Sequence, residues 1–195
     1  MKTILLFLLA LPVITFCQSD TSHKALKKGF YKNYREFITN SPSIDREFSV
    51  VVIEVPDRLE KIGVMEVNYE LKDEDNPITE KIWGFCDGVS VYVKKRRFDY
   101  FNKLEYVGPY SFYTAGYSSV GVGPYGVLLI ANEIWKHIEI YVIAENGDAI
   151  LAKQDYVSSL LSKYPDMQKT YDEDPDKKKN VKKYLVDFNE RMKKK

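Results

Sequence analysis

The stretch Lys81-Ile-Trp-Gly-Phe-Cys-Asp-Gly-Val-Ser-Val-Tyr-Val93 decides the fold. Asp87-Gly88 stands between two apolar runs, and a type I′ loop needs positive φ at both central positions, which this dipeptide tolerates. A two-residue loop sets Cys86 opposite Val89, Gly84 opposite Val91 and Ile82 opposite Val93. Trp83 then pairs with Tyr92 on the other face, beside Phe85 and Ser90. One face is aliphatic and the other aromatic. Both ask for cover, so the hairpin is expected at the centre of a sheet with further strands and helices packed on it.

Upstream, Gly29-Phe-Tyr-Lys-Asn-Tyr-Arg-Glu-Phe-Ile-Thr-Asn-Ser-Pro42 carries Asn33 three residues before Glu36, a capping-box spacing. It predicts a short helix over Tyr34–Thr39 that presents Tyr34, Phe37 and Ile38 on one side and ends at Asn40 and Pro42. Phe48–Glu54 is β-branched and short, hence a strand. Val67, Tyr69 and Leu71 alternate with polar residues, which reads as a half-exposed strand. Asp73–Pro77 is a turn. After the hairpin, Lys94-Lys-Arg-Arg97 reads as a solvated basic turn. Strands are expected over Phe98–Val107, Val127–Ala131 and His137–Ala144, with Asn146-Gly147 making a second hairpin turn before Ile150 and Leu151.

Towards the C-terminus the period changes. Tyr156, Val157, Leu160 and Leu161 suit a helix that stops before Pro165. Asp174-Pro175 reads as a cap and first-turn proline opening a last helix, with Val181, Tyr184, Leu185, Phe188 and Met192 as its apolar stripe and lysines opposite. The class is α+β: a mainly antiparallel sheet, a short N-terminal helix, and C-terminal helices packed on or beside it.

The N-terminus reads as an address. Lys2 precedes an uncharged, mostly apolar run from Thr3 to Phe16, followed by Gln18-Ser19-Asp20. A spanning helix needs about 20 apolar residues, so residues 1–17 read as a secretory signal peptide, residues 18–28 as a flexible lead, and residues 29–195 as one domain. Thr15 and Cys17 are small enough for a cut before Gln18. The rival is lipoprotein processing with Cys17 acylated, which Phe16 disfavours because a small residue belongs there. The expected location is periplasmic or extracellular, or tethered to the envelope through Cys17.

Without Lys2 the 29 basic residues fall to 28 and match the 28 acids, so no global basic field gathers nucleic acid, and a membrane is reached only through a lipid on Cys17. Cys86 is then the one cysteine left. No intramolecular disulfide forms, and a thiol on an aliphatic face behaves as a small hydrophobe.

No catalytic constellation, cofactor motif or metal-ligand spacing is read. Gly121-Val-Gly-Pro-Tyr-Gly126 matches a dinucleotide fingerprint, but Val127–Ala131 reads as a strand where a helix N-terminus is required. Asp172, Asp174 and Asp176 imitate a calcium loop, yet Lys177 and Lys183 stand where glycine and a bidentate glutamate belong. His23 and His137 are isolated. The segment with a functional character is 108–126, where Tyr110, Tyr113, Tyr117 and Tyr125 are interleaved with glycines and serines, a mixture suited to binding a protein or a glycan. A binding surface there requires Tyr113 or Tyr117 to be exposed, whereas the bland alternative packs the tyrosines on the sheet.

Gly29–Pro42 and Trp83–Tyr92 resemble the two most recognisable stretches of an uncharacterised family of small secreted proteins from Bacteroidetes, to which no activity is assigned. The C-terminal order is similar too: a hairpin with Asn146-Gly147, a helix, a proline, and a lysine-rich helix ending near Tyr184 and Asn189. The resemblance implies an exported or envelope protein without carrying over any catalytic residue. The functional expectation is a non-enzymatic binding or structural module of the envelope. The alternative is a small exported hydrolase whose carboxylates converge only in the fold.

Overall fold

The computed structural model describes residues 25–53, 65–94, 100–119 and 135–194, with the side chains of residues 117–119 and 135–137 excepted. The leader with Cys17, His23, the Lys95–Arg97 part of the basic run, the 121–126 glycines, Tyr125, the 127–131 strand, and the side chains of Tyr117 and His137 lie outside the described residues.

The architecture is α+β, with two antiparallel sheets rather than one. A six-stranded sheet has the order β1-β4-β5-β6-β3-β2 and a three-stranded sheet the order β7-β8-β9. In chain order the strands are β1 (Gly29–Tyr31), β2 (Phe48–Val52), β3 (Glu66–Leu71), β4 (Gly84–Cys86), β5 (Val91–Lys94), β6 (Phe101–Lys103), β7 (Phe112–Ser119), β8 (Trp135–Ile143) and β9 (Ala149–Leu151). The described helices are α1 (Tyr34–Ile38), α2 (Gln154–Leu161), α3 (Pro165–Glu173) and α4 (Val181–Lys193).

Three cores result. The large sheet curls, so Phe30, Phe48, Phe85, Tyr92 and Phe101 fill its inner face. Phe85 is the hub, with the rings of Phe30, Phe48, Tyr69, Tyr92 and Phe101 centred 4.8–5.7 Å away. Such pairs add about 0.5–1.5 kcal/mol each beyond their burial. The outer face, with Tyr31, Cys86, Val91, Val93 and Leu104, packs on Tyr113, Ala115 and Ile143 of the small sheet. The other side of the small sheet, Phe112 and Val142, packs on α2, α3 and α4 through Val157, Leu161, Tyr171, Leu185 and Phe188. The small sheet is therefore the middle layer.

The central hairpin is β4–β5, covered on both faces as its pattern requires, but its register differs from the two-residue loop by two places. Gly84 pairs with Val93, Phe85 with Tyr92 and Cys86 with Val91. A shift of two keeps Cys86, Val91 and Val93 on one face and Phe85 and Tyr92 on the other, while Ile82 and Trp83, just before β4, exchange faces. The cause is Asp87. Its Oδ1 accepts the amides of Val89 (2.8 Å) and Ser90 (2.7 Å), and Tyr92 Oη donates to its Oδ2 at 3.0 Å. Among the described non-glycine residues only Asn40 has positive φ, so Asp87 works as a side-chain cap and Gly88 alone (φ +100°) turns the chain. Trp83 does not pair with Tyr92. It packs with Tyr34 and Phe37 on the outer face, while Ile82 joins the inner core.

Asn33 caps α1, with Glu36 N donating to its Oδ1 (3.1 Å), but the returning bond of the capping box is shifted by one residue, since Glu36 Oε2 accepts Lys32 N (2.8 Å). The last helix holds its stripe, with Val181, Tyr184, Leu185 and Phe188 buried, but it starts at Val181 and not at Pro175. Pro165 ends one helix and also opens α3 as its first residue, where a missing N–H costs nothing. Asp174 closes α3. Its carboxylate accepts Asn180 Nδ2 and Tyr184 Oη, both at 2.9 Å, which holds it below the usual carboxylate range. Asp172 takes Gln168 and Asp176 takes Lys179, so the three acids that imitate a calcium loop serve separate local bonds.

Candidate functional site

Tyr110 and Tyr113, the tyrosines of residues 108–126 whose side chains are described, fall in two different cores. Tyr113 is 2% exposed, stacked on Tyr141 at 5.5 Å between the sheets, and burial pushes its hydroxyl above the usual tyrosine range. It is core rather than surface because its β7 position faces the large sheet. Tyr110 is 6% exposed and also corrects the surface expectation, but its hydroxyl leads outward to a site.

Asn189, fully buried on α4, fixes Tyr110. Asn189 Oδ1 accepts Tyr110 N at 2.9 Å, and its Nδ2 donates to the carbonyls of Tyr110 (2.9 Å) and Leu185 (2.8 Å). Both amide donors and the carbonyl oxygen of the buried side chain are thereby engaged by backbone, and the Tyr110 loop amide and carbonyl gain a partner. The ring of Tyr110 then meets Phe188 edge-on at 5.2 Å. Its hydroxyl accepts Lys163 Nζ at 2.8 Å and reaches Glu145 Oε1 at 3.5 Å.

Glu145 belongs to the β8–β9 tip. Gly147 N donates to Ala144 O and Ala144 N to Asp148 O, each at 2.8 Å, and Gly147 has φ +83°, the left-handed residue that completes such a loop. The tip is packed. A Cβ on Gly147 would overlap the Tyr34 side chain, and Trp83 Nε1 donates to Gly147 O at 2.9 Å. Tyr34 and Trp83 lie ring to ring at 5.6 Å. On the far side Tyr156, from α2, lies in the fields of Tyr110 and Glu145. Burial first, then those two groups, raise its titration; burial, then Glu145, then Tyr110, raise that of Tyr34.

Tyr34, Trp83, Tyr110, Glu145 and Lys163 thus meet from α1, the lead into β4, the β6–β7 loop, the hairpin tip and the turn after α2, while Tyr156 of α2 packs on the helical core that holds Tyr110. Tyr34, Trp83 and Tyr156 remain partly exposed, while Glu145 and Lys163 are exposed. The arrangement offers ring faces, a carboxylate and an ammonium on a fixed frame, which suits contact with a polar partner. Proton transfer is served less well. Among the described residues the carboxylates with displaced titration (Glu47, Glu80, Asp174 and Glu190) are held down by hydrogen bonds and lysines, the direction opposite to a general acid. The groove between α3 and α4, about 370 Å³, is open, and its charges pair as Lys183–Asp187 (3.0 Å) and Arg191–Asp166 (3.5 Å).

Cys86 is buried, its Sγ accepts Gly88 N at 3.3 Å, and burial raises its thiol, so it is an unreactive packing group. Among the described residues no helix is long and apolar enough to cross a membrane.

A curled antiparallel sheet, a small middle sheet and C-terminal helices define an α+β protein with its candidate face at the tip of the second hairpin. The model of the Family of unknown function (DUF6563) matches residues 29–192, and the chain belongs to that family. No match is found among curated proteins or among solved structures.

Proposed function

We propose that the protein is an exported module of the cell envelope that acts by binding, with the β8–β9 tip and its surrounding tyrosines as the binding face. The observation that carries this reading is the gathering around Glu145 and Gly147 of aromatic and charged side chains from four other segments, held on a frame that leaves the Tyr34 and Trp83 rings partly exposed and the Glu145 and Lys163 charges exposed. Export is supported by Lys2, the apolar run Thr3–Phe16 and polar Gln18, and by a family match that begins only at residue 29.

Fractionation and N-terminal mass spectrometry test export. Mature chains begin at Gln18, or at a lipid-bearing Cys17 if the chain is tethered, and full-length chains in the cytosol contradict the proposal. The face is tested by binding to an isolated envelope fraction. Lys163→Ala weakens that binding about tenfold or more, the effect of losing an anchor worth about 1.4 kcal/mol. Binding unchanged in that variant removes the face.

A further inference from the structure

We propose that the protein pairs with a second copy of itself along the outer edge of β2, joining the two large sheets into one. β2 is an edge strand of the large sheet, and its bonding alternates along the chain. Lys72 N donates to Glu47 O at 3.1 Å and Ile53 N to Glu66 O at 2.8 Å, so the odd positions from 47 to 53 bond β3. The N–H and C=O groups of Phe48, Val50 and Val52 therefore point away from β3, and they have no backbone partner among the described residues. Such an edge is ordinarily blunted by lysine, proline or a bulge. This one is not. Residues 48–53 carry no charge, proline or glycine, the register runs unbroken from Phe48–Leu71 to Val52–Val67, and Val52 is 59% exposed.

The two ends of β2 differ. Just before it, Ile44 exchanges backbone bonds with Phe30 of β1 at 3.0 and 3.4 Å. The Lys28 ammonium then covers the start of the strand, 3.7 Å from Glu47 and 5.0 Å from the centre of the Phe48 ring. Past that point the edge is open at Val50 and Val52. Antiparallel pairing about a twofold axis at Val51 uses that open part alone. Val50 of one copy exchanges bonds with Val52 of the other, in both directions, and Val51 faces Val51. The exposed Val52 is then covered by a valine on the same face. A second copy is the occupant because the edge is self-complementary. Val50-Val51-Val52 itself supplies the missing row of donors and acceptors, with matching β-branched side chains and no charge to desolvate. A formal net charge of +1 leaves little repulsion between copies. The twofold contact also uses up both edges, so assembly stops at two copies.

The experiment is sedimentation equilibrium of the mature chain over a wide concentration range, beside disulfide trapping of cysteine variants. The expected result is a reversible dimer whose dissociation constant rises about tenfold or more in Val52→Lys, because an unpaired charge then enters a dry strand contact. Val52→Thr keeps the β-branched shape and so retains more affinity than Val52→Lys. Oxidised Val51→Cys is trapped as a covalent dimer, since a non-hydrogen-bonded antiparallel pair brings its Cα atoms to about 4.5 Å, within disulfide reach. Ser49→Cys, set opposite Ile53, is not trapped. Cys86 is buried and does not compete. If Val52→Lys lowers the melting temperature, the trapping of Val51→Cys decides the matter. A monomer at every concentration, with no trapping at Val51→Cys, overturns the pairing. A dimer that survives a folded Val52→Lys, or that is trapped through Ser49→Cys in place of Val51→Cys, overturns it as well and puts the contact elsewhere.

Discussion

In the β4–β5 hairpin the strands are buried on both faces and the tip is in water: Val89 is 84% exposed, and a Cβ on Gly88 would meet nothing within 4 Å. In the β8–β9 hairpin the outer strand has two partly exposed residues and an exposed Ile150, and the tip is wedged between Tyr34 and Trp83. Both turns rest on one glycine at positive φ beside a small polar residue that bonds its own backbone. Asp87 Oδ1 accepts Ser90 N, and Asn146 Oδ1 accepts Asp148 N. The turn chemistry is shared, so the difference comes from what each tip touches. A glycine turn specifies that the chain reverses. It does not specify whether the tip becomes a free end or a joint between layers.

The body of the first hairpin carries the largest expected effect. Phe85→Ala removes the hub of the inner core, and a loss of about 3–5 kcal/mol is expected in denaturant unfolding. A loss near 1 kcal/mol would mean that the curled sheet is not held by its rings. Trp83 joins the two hairpins. Trp83→Phe leaves Gly147 O without its donor and is expected to cost about 1–2 kcal/mol, read in the same way. A change with the opposite sign lies in the same large sheet. Asn102 is fully buried on β6, with neither side-chain polar atom partnered among the described residues, so Asn102→Val is expected to gain about 1 kcal/mol.

The smallest effect concerns the exposed tip. Burial, then the charge and hydrogen bond of Asp87, push Tyr92 up to about 12. The folded value lies above the unfolded one near 10, so the neutral hydroxyl adds stability fully below pH 10 and loses it as pH rises towards 12. Tyr92→Phe is therefore expected to show a shallower alkaline fall than the parent in melting temperature against pH. Identical slopes would remove the Asp87–Tyr92 bond.

Local patterns explain how far the fold was legible. Asn33 and Glu36 define α1, and a 3.6-residue stripe defines α4, because those signals lie within a turn or two of chain. The alternation of Cys86, Val91 and Val93 against Phe85 and Tyr92 puts each residue on its proper face despite the register change. The register itself was not legible, since Asp87 can either adopt positive φ or cap the loop with its carboxylate. Pro165 is similarly two-sided, able to stop one helix and start the next. The site was legible only as a density of tyrosines, and that signal selected Tyr110 and Tyr113 for a surface they do not occupy. Trp83 and Gly147 are 64 residues apart, and Tyr110 and Asn189 are 79 apart, so no spacing pattern announces these pairings.

The central claim is that the second tip is a joint and the first is a free end. The direct test makes one chemical change at both, Gly88→Ala and Gly147→Ala, and measures unfolding free energy under identical conditions. Each variant meets the left-handed φ penalty of about 1 kcal/mol, and the Gly147 variant must also displace Tyr34, for a total of about 2–4 kcal/mol. A loss at Gly147 at least twice that at Gly88 is the expected result. Equal losses, or a larger one at Gly88, would show that the second tip is not packed and would dismantle the site built around it.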